Sequence, residues 1–123
     1  MSHEKNIKLL EHPDSVSVCV FVENKSLFSL GKRIMERHPQ VGEDMGGYNW
    51  DALIAFYVGE KDAALMESIR RDPEAGMYSA YMKNSPENLA KMKRFEALLK
   101  EMLSNDDELI AFIGANVDQI EWD

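Results

Sequence analysis

The chain has 123 residues, enough for one domain that buries roughly two thirds of its unfolded surface and folds without disulfide or metal staples. Its composition, 45% hydrophobic and 29% charged, is that of an ordinary soluble globular protein, and no apolar run approaches the roughly 20 residues that a membrane span requires. The net charge of -8 disfavours nucleic-acid binding, which needs clustered cations, and suits a basic protein partner.

The charge is unevenly placed. The first third is nearly neutral, whereas residues 38–60 and 101–123 contain no Lys or Arg at all. Met1-Ser2-His3-Glu4-Lys5-Asn6 leads into no signal-peptide core, so cytoplasmic residence is expected. The single Cys19 agrees, since it can form no internal disulfide and no multi-cysteine metal site.

In chain order, Ile7-Lys8-Leu9-Leu10 predicts a short strand and Glu11-His12-Pro13-Asp14 a turn. Residues 15–23 alternate strictly, with Val16, Val18, Val20 and Val22 on one face and Ser17, Cys19, Phe21 and Glu23 on the other, the pattern of a core strand. Cys19 has no motif partner there and reads as a structural thiol. Leu27, Leu30, Ile34 and Met35 then mark a helix from about Leu27 to His38, which Pro39 stops. His3, His12 and His38 share no ligand spacing, so no metal is expected.

Met45-Gly46-Gly47-Tyr48-Asn49-Trp50-Asp51 is the densest segment. Its two glycines permit positive φ before Tyr48, Asn49 reads as a helix N-cap, and Asp51 sits in the first turn, where the helix dipole favours negative charge. A short amphipathic helix is predicted to follow, with Trp50, Leu53, Ile54, Tyr57 and Val58 on its apolar face. The glycines lack the phosphate-binding GxxxxGK[ST] pattern, and Glu43 and Asp44 before them would repel an anion.

Leu65, Met66 and Ile69 suggest a further short helix ending near Arg70 and Arg71. Asp72-Pro73-Glu74-Ala75-Gly76 carries turn chemistry, and Met77–Lys83 reads as a strand with aromatic residues on both faces, paired antiparallel with the valine strand. Asp72 and Glu74 are read as turn residues rather than paired catalytic carboxylates. Ser85-Pro86-Glu87 opens a long helix with an apolar face of Leu89, Met92, Phe95, Leu99, Met102 and Leu103. Asn105 and Glu108 form a capping box for a last helix, in which Gly114 is a weak point or an end, leaving residues 117–122 as a tail or a late edge strand. Asp106-Asp107-Glu108 lacks the alternating ligands and central glycine of a calcium loop. The fold class expected is α+β, a single domain spanning residues 1–123, with a small antiparallel sheet of two to three strands packed against four to five helices.

Spacing alone reveals no nucleophile, metal, phosphate or dinucleotide site. Gly47-Tyr48-Asn49-Trp50-Asp51-Ala52-Leu53, followed by Asp72-Pro73-Glu74-Ala75-Gly76-Met77-Tyr78-Ser79-Ala80-Tyr81 and a pair of acidic C-terminal helices, resembles the immunity-protein family numbered fifty-one of bacterial polymorphic-toxin systems. The resemblance spans roughly residues 45–113. It departs from the family pattern at Asn49, where Asp is expected.

The resemblance implies a small cytoplasmic protein that binds and neutralises a cognate toxin by occluding its active site, with no catalysis or cofactor of its own. The expected contact set is Glu43, Asp44, Tyr48, Trp50 and Asp51, aromatics beside charges in a glycine-positioned loop. Tyr48 and Trp50 read equally as core aromatics that dock the helix. Two other readings stay open. One is a small adaptor domain, a homodimer through the second face of the valine strand or the terminal helices. The other is an enzyme of unfamiliar type using a carboxylate such as Asp51 or Glu74.

Overall fold

The alternation in residues 15–20 produces strand β2 (Ser15–Val20), in which Val16, Val18 and Val20 are completely buried. The computed structural model describes residues 3–123. In it β2 lies between β1 (Ile7–Glu11) and a later strand, β4 (Tyr78–Lys83), antiparallel to both as expected. A fourth strand, β3 (Arg70–Arg71), pairs with the far edge of β4 and completes the order β1-β2-β4-β3. The sheet therefore has one strand more than expected. Two arginines carry no strand propensity, and β3 exists because β4 offers it a partner.

Residues directly opposite in a ladder share a face. Leu9, Val18 and Ala80 are opposite one another, as are Ile7, Val20 and Tyr78, so these residues form one side of the sheet. Helix α4 (Pro86–Met102) lies across that side and buries Met92, Phe95, Leu98, Leu99 and Met102, with the Phe95 and Tyr78 rings 6.4 Å apart. Each such aliphatic or aromatic side chain contributes about 1.5–3 kcal/mol on full burial. The start of α4 is as predicted: Ser85 Oγ accepts from the Asn88 N–H at 3.1 Å and Pro86 occupies the first turn.

Helix α1 (Lys25–Arg37) precedes the sheet's second half and packs on the last helix, α5 (Asp106–Asn116). Asn105 caps α5 through the Glu108 N–H at 3.1 Å. Gly114 does not end α5. A Cβ there would come within 2.7 Å of the His38 ring, whose Nε2–H donates to the Ile110 carbonyl at 3.0 Å, so the glycine makes room for His38. Residues 117–122 form a turn and a tail rather than a strand, with Ile120 buried and Trp122 Nε1–H donating to Val117 O at 3.1 Å.

Residues 3–6 are tied to both α1 and α5. His3 is buried, with Nε2 2.8 Å from Asp106 Oδ1 and Nδ1 3.3 Å from Ser26 Oγ. Nε2 carries the proton toward the carboxylate, which leaves Nδ1 to accept from Ser26; Asn6 donates to Ser26 at 2.9 Å, and Asn24 to Asn6 at 2.7 Å. Burial of His3 and Asn6 is tolerated because each has a partner.

Helix α2 (Gly47–Lys61) is longer and less amphipathic than predicted. Trp50, Ala52, Leu53, Ile54, Tyr57 and Val58 are all buried, which wraps apolar contact around most of its circumference. A helix that is apolar nearly all round belongs in an interior. It is followed by α3 (Ala63–Ser68), whose N-cap Asp62 accepts from the Leu65 N–H at 3.1 Å and from Arg94 Nε at 2.9 Å. The Arg94 bond, aided by the Leu65 N–H, holds the Asp62 carboxyl below its usual value of 3.8. Because the folded form lowers this pKa, its stability contribution is complete above about pH 4 and is lost as the pH falls below it. Asp62→Asn keeps a cap acceptor but removes the charge; its melting temperature, followed by scanning fluorimetry, is expected to fall less steeply than that of the parent across the acid range.

Candidate functional site

The two glycines before α2 act through space rather than through handedness. Gly46 is extended at φ -88°, and among the described residues only Gly42, at φ 109°, has positive φ. A Cβ on Gly46 would lie 2.6 Å from Ala75 O, and one on Gly47 would fall on the Glu74 carbonyl oxygen and within 2.6 Å of Met77 O. The Gly47 N–H donates to Ala75 O at 2.9 Å. The first turn of α2 is thus seated directly on the turn formed by residues 72–77, where Glu74 and Met77 bridge. The two most distinctive segments of the sequence are one structural unit.

Asn49 is not the N-cap. Gly46 holds that position, and Asn49 lies inside the first turn, only 5% exposed. Its Nδ2 donates to Asp44 O at 2.6 Å and Val41 O at 3.3 Å, and its Oδ1 accepts from the Asp123 N–H at 2.6 Å. One amide therefore ties the 41–44 loop to the far end of the chain. An aspartate here has no proton to give to the two carbonyls, so Asn is the residue this arrangement requires.

The contact residues expected from the sequence divide by depth. Trp50 is wholly buried and forms part of the core, whereas Tyr48 is 49% exposed and Glu43 and Asp44 are open to solvent. Asp51 is partly buried, and both of its oxygens accept from Arg71, Nε at 2.8 Å and Nη2 at 2.7 Å. This bidentate pair, with Glu121 adding to it, raises the Arg71 pKa further above its usual value. Nearby, burial and then the charge of Asp51 push the Tyr78 hydroxyl well above its ordinary pKa.

Two cavities meet at Tyr48. One, of about 390 Å³, is lined by Tyr48, Asp51, Phe56, Arg71, Glu121 and Asp123 among others. The second, of about 140 Å³, is lined by Glu43, Asp44, Tyr48, Asn49 and Asp123 among others. Glu43, Asp44, Glu121 and Asp123 form no salt bridge among the described residues, and Arg71, the one cation lining either cavity, is held by Asp51. The result is a concave, aromatic-centred corner with an outward negative field.

Glu121, Asp123, Phe56 and Arg71 were not marked by sequence reasoning. The cation-free stretch 101–123 signalled the first two, but tertiary contacts, the burial of Ile120 and the Asn49 bond 74 positions distant in the chain, bring them to Tyr48. Of the carboxylates considered for catalysis, Asp51 has both oxygens occupied by Arg71, and Glu74 sits exposed in its turn and lines neither cavity. Among the described residues no group of His, Cys, Asp and Glu gathers to hold a metal ion, and no helix is long and apolar enough to cross a membrane.

A comparison with family models matches residues 7–117 to the family described as Immunity protein 51. No match was found among curated proteins or among solved structures. The matched span takes in the whole sheet, the two motifs joined at Gly47 and all five helices. The chain therefore belongs to the Immunity protein 51 family, and an immunity role in general comes with that membership.

Proposed function

We propose that the protein binds a cognate bacterial toxin and neutralises it by occluding its active site, through the corner built around Tyr48 and without chemistry of its own. The observation that carries this is the rim of Glu43, Asp44, Glu121 and Asp123 around two adjoining cavities, with no free cation among the described residues that line them. Such a rim complements a basic cleft, as in an enzyme that handles phosphate-bearing substrates. Complementary fields raise the encounter rate and disfavour wrong partners. Tyr48 supplies the anchor: a half-exposed ring standing between two hollows offers contact area at little entropic cost. Trp50, placed in the contact set by the sequence, is wholly buried and stands outside this surface. Neither a membrane nor nucleic acid is part of this reading, and the toxin domain, of polymorphic type, meets the protein in the bacterial cytoplasm.

The test is co-expression with the toxin domain encoded beside the gene, scoring growth and co-purification. Survival of the cells together with a stable complex is the expected result. A domain that kills alone and still kills in the presence of the protein, with no complex recovered, contradicts the proposal.

A further inference from the structure

The side of the sheet opposite α4 is uncovered. Pairing places Leu10, Ser17, Tyr81 and Arg70 in one row straight across all four strands, a width of about 14 Å at the usual strand spacing. None of the four is buried; Leu10 is 41% and Tyr81 38% exposed, against zero for the valines on the reverse side. Down the centre, β2 carries only the small side chains of Ser15 and Ser17, half-buried, and of Cys19, buried. Lys8 and Leu10 rise on one flank, and Tyr81, Lys83 and Arg70 on the other. The side chains thus outline a shallow trough that runs along β2.

The charge of this face is opposite to that of the molecule. Lys8, Arg70 and Lys83 are exposed on it, no Asp or Glu occupies a paired position on this side, and only Asp72 follows at the rim beside Ser79. None of the three cations forms a salt bridge among the described residues. In a chain of net charge -8, a cationic strip with two exposed apolar side chains stands apart from the surrounding surface.

We infer that this open sheet face is a second docking surface, separate from the Tyr48 corner, and that its occupant is an acidic polypeptide segment bearing apolar side chains. Carboxylates of the partner meet Lys8, Lys83 and Arg70, and its apolar groups pack on Leu10 and Tyr81 over the serine floor. Arg70 and the two lysines reach from both flanks of the trough, so a segment lying along β2 is held from both sides. Two copies of this chain face to face would set the three cations against themselves, which disfavours the homodimer through this face that the sequence suggests. A nucleic acid would meet the same cations but carries a charge at every nucleotide against the field of the whole anionic molecule, whereas a segment with intervening apolar side chains needs only the few carboxylates that three cations neutralise.

The test is a titration of the ¹⁵N-labelled full chain with a synthetic peptide of alternating Glu and Leu, with an uncharged Gln and Leu peptide and an oligothymidylate as parallel probes. Saturable shifts confined to Lys8, Leu10, Ser17, Arg70 and Tyr81 with the acidic peptide, and absent with the uncharged one, are expected. Arg70→Glu combined with Lys83→Glu should weaken that binding about tenfold or more, and Tyr81→Ala should weaken it while leaving the melting temperature unchanged. Saturable binding of the oligothymidylate at the same residues in preference to the peptide, self-association through this face on concentration, or no saturable shift there at all overturns the inference. None of these results depends on the Tyr48 corner.

Discussion

Gly47→Ala is expected to destabilise the protein by about 3 kcal/mol or more, even though alanine is the better helix former. The added methyl would fall on the Glu74 carbonyl oxygen and press on that of Met77, both of them backbone atoms that no rotamer change can move aside. Relieving the clash means lifting the first turn of α2 off the 72–77 turn, which also stretches the 2.9 Å bond from Gly47 N–H to Ala75 O. The control lies in the same helix. A Cβ on Gly59 meets nothing within 4 Å, so Gly59→Ala should be neutral or stabilising by roughly 0.5–1 kcal/mol. Denaturant unfolding of the two variants measures both. Equal effects of the same sign would mean that the glycine turn is not the seat described above.

Trp50→Ala is expected to cost about 3–5 kcal/mol, a large share of the roughly 5–15 kcal/mol available to a domain of this size. The ring is among the largest fully buried side chains and belongs to the main hydrophobic core. Its Nε1 has no hydrogen-bond partner among the described residues, so the contribution is one of packing rather than polar bonding. Tyr48→Ala removes a ring of similar size that is half exposed, and stability should change by less than about 1 kcal/mol. Comparing the two by chemical denaturation therefore separates the core aromatic from the surface one. Toxin binding should respond in the opposite order, provided the Trp50 variant is assayed under conditions where it is folded.

Much of the fold was legible because its signals are local. The valine alternation, its antiparallel partner at Tyr78–Lys83, the Ser85 and Asn105 caps and the stop at Pro39 each need only a few neighbouring residues to be read. Three of the misreadings involve partners far away in the chain. Asn49 carries the chemistry of a cap, but its amide is claimed by the 41–44 loop and by Asp123. Burial of His3 is tolerated because Asp106, more than a hundred positions later, accepts a hydrogen bond from its ring. Gly46 and Gly47 look like a positive-φ turn and are instead a contact surface for a turn thirty residues on.

The site was legible in the same uneven way. Glu43, Asp44, Tyr48 and Asp51 lie together because they are close in sequence on one loop and one helical turn. Trp50 was grouped with them by proximity along the chain, yet a helix turns 100° per residue, so two residues beyond Tyr48 the side chain points into the core. Glu121 and Asp123 reach the corner only through tertiary structure. Glu121 brings negative charge to the larger cavity, and Asp123, which lines both, joins it to Glu43 and Asp44.

The most direct test of the central claim is the association kinetics of the protein with its toxin domain, measured by biolayer interferometry over a range of salt, for the parent and for Glu43→Lys combined with Asp44→Lys and Glu121→Lys. These side chains are exposed and form no salt bridge among the described residues, and Glu121 reaches Arg71 only through its field while Asp51 holds both Arg71 bonds, so the fold should be retained. The association rate is expected to fall by about tenfold or more, the salt dependence to weaken, and rescue in cells to be lost. A triple variant that associates at the parent rate with the same salt dependence would place the toxin elsewhere on the molecule and contradict the account.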